Sequence, residues 1–238
     1  MDTLITCKIY GMAPNHTVKK LEQKVAIITG ASSGIGRATA VVFSRLGARL
    51  ALSGRNQENL TESAEECETV SPNNLKPLCI VGDVTIESDI NRIMKSTIDT
   101  YGRLDILVSL FTRKNIDEHI FSKTHRHPLL AVYHLTMLAV PHLIESKGSI
   151  VNVSSVLSKR GGATVFSYTM SKGAFDQFTR SVALDLAPKQ VRVNSVNPGT
   201  IETNIFTTVG ADVKEVRVKG SEGIKGPSED IKLHGGAT

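Results

Sequence analysis

A tyrosine and a lysine in this sequence have the spacing needed for proton transfer. Tyr168 and Lys172 are four residues apart, so in a helix they share one face. A free phenol has a pKa of about 10, and a neighbouring ammonium favours the phenolate and lowers that pKa. Tyr168 could then give a proton to a carbonyl oxygen or take one from an alcohol. Because Tyr-x-x-x-Lys is common by chance, the prediction depends on what precedes it.

A serine that follows a strand-like segment strengthens this prediction. Ser149–Val153 has the composition of a buried strand and continues into two serines, the second of which, Ser155, precedes Tyr168 by thirteen residues. Its hydroxyl could hold the same substrate oxygen as negative charge develops there. The order of strand, serine, loop, tyrosine and lysine therefore predicts Ser155, Tyr168 and Lys172 as catalytic residues.

A glycine-rich turn near the N-terminus has the pattern of a phosphate-binding loop. It follows the apolar segment Val25–Thr29 and opens an amphipathic helix. Its glycines would allow a tight turn, a close approach of the backbone to a pyrophosphate, and packing of helix on strand, while the helix N-terminus offers N–H groups to the phosphates. A purely structural turn is the alternative. The residues predicted to bind a dinucleotide here are Gly30, Ser32, Ser33, Gly34, Ile35 and Gly36.

The ends of the next two predicted strands indicate which dinucleotide is bound. NAD sites usually place an acid after the second strand for the ribose 2′-OH, but this chain has Gly54 and Arg55. Arginine can bind a 2′-phosphate, so NADP(H) is favoured over NAD(H), and an ordinary solvated arginine is the alternative. After the third strand, Asp83 and Val84 are candidates for the adenine site. Asp83 could instead belong to the N-cap region of the next helix.

Short apolar segments alternate with helical ones along most of the chain. This pattern predicts an α/β fold, a Rossmann-like doubly wound parallel sheet of about six strands with helices on both faces, and ligands bound beyond the carboxyl ends of the strands. The predicted strands are Val25–Thr29, Leu50–Ser53, Leu78–Val81, Leu104–Val108, Ser149–Val153 and Arg192–Val196. The predicted helices are Ile35–Leu46, Asn59–Val70, Ile86–Ile98, Leu129–Ile144 and Tyr168–Leu186. We expect one domain over 24–203, with an extension at 1–23 and a loosely packed segment of the same domain at 204–238.

The composition of the 238-residue chain limits its partners. Hydrophobic residues make up 40% and charged residues 21%, as in globular proteins. The net charge of +5 comes from scattered basic residues, and aromatic residues are only 5%, so we expect no nucleic-acid partner. The uncharged segment 128–144 is interpreted as a buried helix rather than a membrane span.

The cysteines and histidines favour neither disulfides nor a metal site. The three cysteines (Cys7, Cys67 and Cys79) are odd in number and lack a C-x-x-C pair, so reduced thiols and a cytoplasmic location are expected. Organelle targeting by the extension at 1–23 is the alternative location. We expect no set of acidic or cysteine partners to converge on His119, His125 and His127, and therefore a polar loop and no metal there.

Taken together, these motifs resemble the short-chain dehydrogenase/reductase family from about Leu21 to Thr203. The matching motifs are TGASSGIG (Thr29–Gly36), GDV (Gly82–Val84), NVSS (Asn152–Ser155), YTMSK (Tyr168–Lys172) and VRVNSVNPGTIET (Val191–Thr203). The resemblance implies hydride transfer between NADP(H) and a small carbonyl or secondary alcohol, as in carbonyl reductases. It implies that Ser155 orients the carbonyl, that Tyr168 is the acid/base, and that Lys172 lowers the pKa of Tyr168 and binds the nicotinamide ribose.

The resemblance also assigns roles near the C-terminal motif and to the helix predicted at 129–144. It implies that Pro198 and Gly199 form the turn beside nicotinamide, and that the Ile201 backbone and the Thr203 hydroxyl bind its carboxamide. The helix at 129–144 resembles the family's dimer helix, which implies a homodimer or homotetramer.

Two parts of the chain depart from the family pattern. The family's Asn-Asn-Ala-Gly after the fourth strand is replaced within Leu107–Thr112, where two apolar residues stand in place of the small Ala-Gly. The position of the family's relay asparagine falls near Pro128. The late helix and last strand are not recognisable in 204–238, which suggests an internal deletion. The alternative function is therefore a catalytically impaired, cofactor-binding pseudoenzyme or splice variant that acts through dimerisation.

Overall fold

A computed structural model describes residues 21–111, 128–160, 166–199 and 201. Within these ranges, strands and helices alternate in the predicted order. The elements are β1 (Val25–Thr29), α1 (Gly34–Arg45), β2 (Arg49–Gly54), α2 (Gln57–Val70), β3 (Leu78–Val81), α3 (Glu87–Tyr101), β4 (Ile106–Leu110), α4 (Pro128–Ser146), β5 (Ser149–Val153), α5 (Phe166–Leu186) and β6 (Arg192–Val196). Two 3₁₀ turns lie at Val156–Ser158 and Ala187–Lys189.

The six strands form one parallel sheet in the order β3-β2-β1-β4-β5-β6. The direction of winding reverses between β1 and β4, which opens a crevice at the carboxyl ends of these two strands. Every residue of β1 is buried, as expected of a strand with helices on both faces. The predicted fold class is therefore confirmed, and β1, β3, β5 and β6 have the predicted bounds.

Two apolar clusters cover the two faces of the sheet. One face buries Ile27, Leu107 and Ile150 against α3, α4 and α5. The other face buries Ile28 and Val108 against α1 and α2. Because all six strands are parallel, their carboxyl ends lie at one edge of the sheet, and the candidate site residues follow the strands there.

The fourth strand lies two residues later than the sequence predicted, at Ile106–Leu110 instead of Leu104–Val108. Asp105, directly before the strand, accepts hydrogen bonds on its carboxylate from Lys24, Arg103 and the Val25 N–H, while its backbone N–H donates to Val25 O and its carbonyl accepts from Ser149 N. At the other end, Thr29 Oγ1 accepts from Leu110 N at 2.9 Å and donates to Leu110 O at 3.0 Å, which extends the strand.

Helix α4 is long and apolar enough to cross a membrane by length and hydropathy alone. However, it buries side chains against the sheet once or twice per turn, as does the core helix that the sequence predicted. The buried residues of this helix are Ala131, Val132, Leu135, Thr136, Ala139 and Leu143.

Several expectations fall outside the described residues and stay predictions. They concern most of the extension at 1–23, the three histidines at 119–127, Thr203, and the segment 204–238 with its suggested deletion.

Candidate active site

The glycine-rich turn between β1 and α1 has the close packing expected of a phosphate-binding loop. Gly30 adopts a φ of +64°, and Ala31 N donates to Ser53 O at 2.9 Å. A Cβ on Gly36 would lie 2.2 Å from Gly30 O, so only glycine fits where the helix meets the turn. The side chain of Ser33 does not cap α1, which leaves the first N–H groups of the helix available to a ligand.

Gly54 and Arg55 lie beside this turn, at the carboxyl end of β2. A Cβ on Gly54 would lie 2.9 Å from Ser32 Oγ, so an aspartate at this position would require Ser32 to move. Arg55 is exposed and forms no ion pair with the described residues. By contrast, Arg37 on α1 is held by Glu66 at 2.8 Å and Glu62 at 3.2 Å. Among the described residues, Arg55 therefore has no ion pair that would keep its guanidinium from a ligand next to Gly54.

Asp83 forms a local turn after β3, three residues before Ile86, which is the N-cap of α3. Its Oδ1 accepts hydrogen bonds from Thr85 N at 2.9 Å and Thr85 Oγ1 at 2.8 Å, and its own N–H donates to Asp89 Oδ2. These bonds occupy one carboxylate oxygen, and Val84 is half-buried beside it. Asp83 therefore orders the approach to α3, and contact with an adenine amine remains a prediction.

Ser155, Tyr168 and Lys172 all lie at the carboxyl edge of β5. Ser155 is buried directly beyond that strand, and its Oγ accepts from Leu157 N at 3.2 Å. On α5, Tyr168 is half-buried and Lys172 is 7% exposed, with Nζ 5.8 Å from the centre of the Tyr168 ring. The three predicted catalytic residues are thus brought to the same edge of the sheet.

The ammonium group of Lys172 is held by main-chain carbonyls. Nζ donates to Val153 O at 3.0 Å and to Phe111 O at 3.2 Å. Burial lowers the pKa of Lys172 to about 8, and the carboxylate of Asp176 opposes that effect. Since an ammonium carries three N–H donors, one remains for a ribose hydroxyl.

The replaced segment after β4 packs into the site. A Cβ on Gly30 would lie 2.6 Å from Leu110 Cδ2, which places the Leu110 side chain against the glycine turn. Phe111 supplies the carbonyl that Lys172 binds. Pro128, near the position of the family's relay asparagine, is the first residue of α4. The segment that departs from the family pattern therefore contacts both the predicted phosphate loop and the predicted catalytic lysine.

The turn after β6 also reaches this edge. Pro198 O accepts from Val156 N at 3.0 Å, which joins the turn to the loop after Ser155. Gly199 and Ile201 are exposed nearby in sequence. The predicted carboxamide contacts of Ile201 remain untested.

Sequence reasoning missed a buried polar cluster under these loops. Asp176 Oδ2 accepts hydrogen bonds from Ser158 Oγ at 2.5 Å and from Asn197 Nδ2 at 2.8 Å. The available signal was the spacing on α5, since Asp176 lies one turn beyond Lys172 and two turns beyond Tyr168, on the face that packs inward. Among the described residues, no group of three or more His, Cys, Asp or Glu side chains could hold a metal ion.

Comparisons with known proteins identify the family. The model of the short chain dehydrogenase family matches residues 24–214. The chain belongs to the short-chain dehydrogenase/reductase family. A Bacillus subtilis protein described as the uncharacterized oxidoreductase YhdF is 36% identical over 207 residues, which are 84% of this chain and 70% of that protein. The Arabidopsis thaliana chloroplastic NADPH-dependent aldehyde reductase 1 is 34% identical over 216 residues, 85% of this chain and 74% of that protein.

Solved structures of the family have the same fold. A short-chain dehydrogenase/reductase of Caenorhabditis elegans, solved with its cofactor, superposes with a TM-score of 0.71 at 34% identity and covers 84% of this chain and 78% of its own. Membership of the short-chain dehydrogenase/reductase family implies an oxidoreductase that acts on CH–OH or C=O groups with a nicotinamide cofactor. The glycine turn, the uncapped N-terminus of α1 and the buried Lys172 ammonium fit such a cofactor.

Proposed function

We propose that this chain is an NADP(H)-dependent oxidoreductase that interconverts a carbonyl and a secondary alcohol, with Tyr168 as the acid/base. The observation that carries the proposal is the buried Lys172 ammonium, one helical turn from Tyr168 and at the same sheet edge as Ser155. The nicotinamide cofactor supplies or accepts the hydride when it is bound. The protein's own residues manage the substrate oxygen and its proton.

Tyr168 gives a proton to the carbonyl oxygen in reduction and takes it back in oxidation. Lys172 supports this role because its ammonium lies 5.8 Å from the centre of the Tyr168 ring, close to the group that would exchange the proton. Ser155 would donate a hydrogen bond to the same oxygen as it gains negative charge. The Ser155 hydroxyl is suited to this because its bond to Leu157 N uses it as an acceptor and leaves its proton to donate.

NADP(H) is the proposed cofactor because of the residues beyond β2. The space that an acid would need at position 54 is filled by Ser32, and Arg55 beside it has no acidic partner among the described residues. A guanidinium free of such a partner can bind a 2′-phosphate with two hydrogen bonds. The similarity to a plant NADPH-dependent aldehyde reductase supports the same preference. We propose a homo-oligomer and a cytoplasmic location as accompanying properties.

The test is to offer the protein a panel of aldehydes and ketones and to monitor their reduction by the loss of NADPH or NADH absorbance at 340 nm. We expect turnover with NADPH and a loss of kcat of at least about 100-fold in Tyr168→Phe, the lower range for removal of a general acid. Tyr133→Phe is the matched control, because Tyr133 is exposed on α4 and its ring packs edge-on against Phe178. Binding of NADPH without turnover of any substrate, or full activity in Tyr168→Phe, would contradict the proposal.

A further inference from the structure

Asp176 joins three segments whose relative positions the proposed reaction depends on. Its Oδ2 accepts from Ser158 Oγ, which lies at the end of the 3₁₀ turn that follows Ser155. The same oxygen accepts from Asn197 Nδ2, in the turn after β6. Asp176 itself belongs to α5, the helix that carries Tyr168 and Lys172. One carboxylate oxygen thus connects the serine loop and the β6 turn to the catalytic helix.

Asn197 closes the connection from the other side. Its Nδ2 also lies within hydrogen-bond distance of Ser155 O at 3.1 Å and of Ser158 Oγ at 2.9 Å, so its two N–H groups are shared among three acceptors, and its Oδ1 accepts from Ser195 Oγ at 3.2 Å. Ser158 Oγ also lies 2.7 Å from Ser155 O, so its single hydroxyl proton is shared between Asp176 Oδ2 and Ser155 O. The position of the Ser155 backbone therefore depends on side chains from two other segments.

The charge of Asp176 has no direct ionic partner among the described residues. The residue is 4% exposed, and its Oδ1 has no hydrogen-bond partner there. Lys172 lies one turn away, but its ammonium binds the carbonyls of Val153 and Phe111 instead. A buried carboxylate with an open oxygen is destabilising compared with a fully bonded one. The fold thus tolerates this cost at a point next to the catalytic lysine.

We propose that Asp176 is a positioning residue of the active site. It holds the loop that carries Ser155 and the turn that starts at Asn197 against the helix that carries Tyr168 and Lys172. It touches none of the reacting atoms and acts through Ser158 and Asn197. The inference rests on the proposed function for its catalytic consequence, whereas the connection between the segments can be measured without turnover.

The experiment compares Asp176→Ala, Asp176→Asn and Ser158→Ala with wild type. Asp185→Ala is the matched control, because Asp185 lies on the same helix with its side chain 76% exposed and 3.8 Å from Lys189. Amide hydrogen exchange is measured over residues 154–160 and 193–199. The NADPH dissociation constant is measured by NADPH fluorescence, and kcat and KM are measured with a carbonyl substrate that the wild-type protein reduces.

We expect Asp176→Ala to exchange faster in both segments and to lose kcat roughly 10- to 100-fold, the effect of misplacing reacting groups by about 1 Å. Asp176→Asn keeps an oxygen acceptor without the charge and should lie between Asp176→Ala and wild type. The losses of kcat in Asp176→Ala and Ser158→Ala should be less than additive when the two are combined, because they break the same connection. Asp185→Ala should match wild type.

The outcomes separate this inference from the proposed function. Unchanged exchange in both segments overturns the inference, and so does faster exchange with the kcat and NADPH affinity of wild type. If Asp176→Ala does not fold, Asp176→Asn and Ser158→Ala provide the same comparison. If the wild-type chain reduces no carbonyl, the proposed function fails, but the exchange rates and the NADPH dissociation constant still decide whether Asp176 holds the two segments.

Discussion

Replacing Lys172 with methionine should remove a pH-dependent loss of stability. Burial lowers the pKa of Lys172 from 10.5 to about 8, against the opposing charge of Asp176. Each pKa unit corresponds to about 1.4 kcal/mol, so the folded state is destabilised by about 3 kcal/mol when this lysine must be protonated. The buried ammonium retains two carbonyl partners, Val153 O and Phe111 O.

The sign follows from which state binds more protons. Between pH 8 and 10.5, the unfolded chain keeps the proton on this lysine while the folded protein releases it, so stability increases with pH across that window. Below pH 8 both states are protonated and the penalty is fully present. Relative to Lys172→Met, the wild-type protein should therefore gain about 2 kcal/mol in free energy of unfolding between pH 7 and pH 9.5.

The assay is urea unfolding of the cofactor-free protein, read by circular dichroism at several pH values. With an m-value of about 2 to 3 kcal/mol/M, the expected gain moves the difference between the two midpoints by roughly 0.7 to 1 M urea. Both proteins are measured in a Tyr168→Phe background, so the Tyr168 phenol cannot contribute to the difference between them. Asp176 is present in both proteins. Lys95→Met, at a lysine whose side chain is 75% exposed, is the control and should differ from wild type by a constant amount. A difference between wild type and Lys172→Met that does not change from pH 7 to 9.5 would refute the reasoning.

Two further predictions concern the predicted cofactor site. Gly36→Ala places a Cβ 2.2 Å from Gly30 O and should lower the Tm by about 6 to 12 °C, from about 3 kcal/mol of overpacking. Gly173→Ala, whose Cβ would lie 3.7 Å from Ser158 O, should leave Tm unchanged or raise it in the same thermal unfolding experiment. Arg55→Ala should weaken NADPH binding roughly 10- to 100-fold, the effect of losing a charge-assisted hydrogen bond, and leave NADH binding unchanged by fluorescence titration. Equal weakening of NADH binding, or the same effect in Arg45→Ala at the far end of α1, would contradict this.

The sequence predicted the elements well where local pattern and burial agree. Strands such as Ser149–Val153 are short apolar segments followed by polar turns, and both signals are local. The bounds of β4 were wrong because they depend on partners distant in sequence. The carboxylate of Asp105, just before β4, binds Lys24, and Leu110 at the end of β4 is bonded to the Thr29 hydroxyl. Neither contact is visible in the segment itself.

The same distinction applies to the candidate site. Tyr168 and Lys172 could be paired from the sequence because helical spacing alone puts them on one face. Their connection to Asp176 could not be, because Ser158 and Asn197 reach it from segments that are adjacent only through the pairing of β5 with β6. The contact between Lys172 and the carbonyl of Phe111 could not be predicted either, because every residue type has a backbone carbonyl.

The buried charges of the site explain why it needs the sheet beneath it. A lysine and an aspartate are both almost fully buried on α5, and the aspartate has an oxygen without a partner among the described residues. On the same face of the sheet as α5, Leu135, Leu143 and Ile150 are buried, and each contributes about 1.5 to 3 kcal/mol. Two such side chains offset the destabilisation at Lys172. The apolar core on this face of the sheet can therefore hold an ammonium whose pKa is lowered to about 8 beside Tyr168, at the site of the proposed proton transfer.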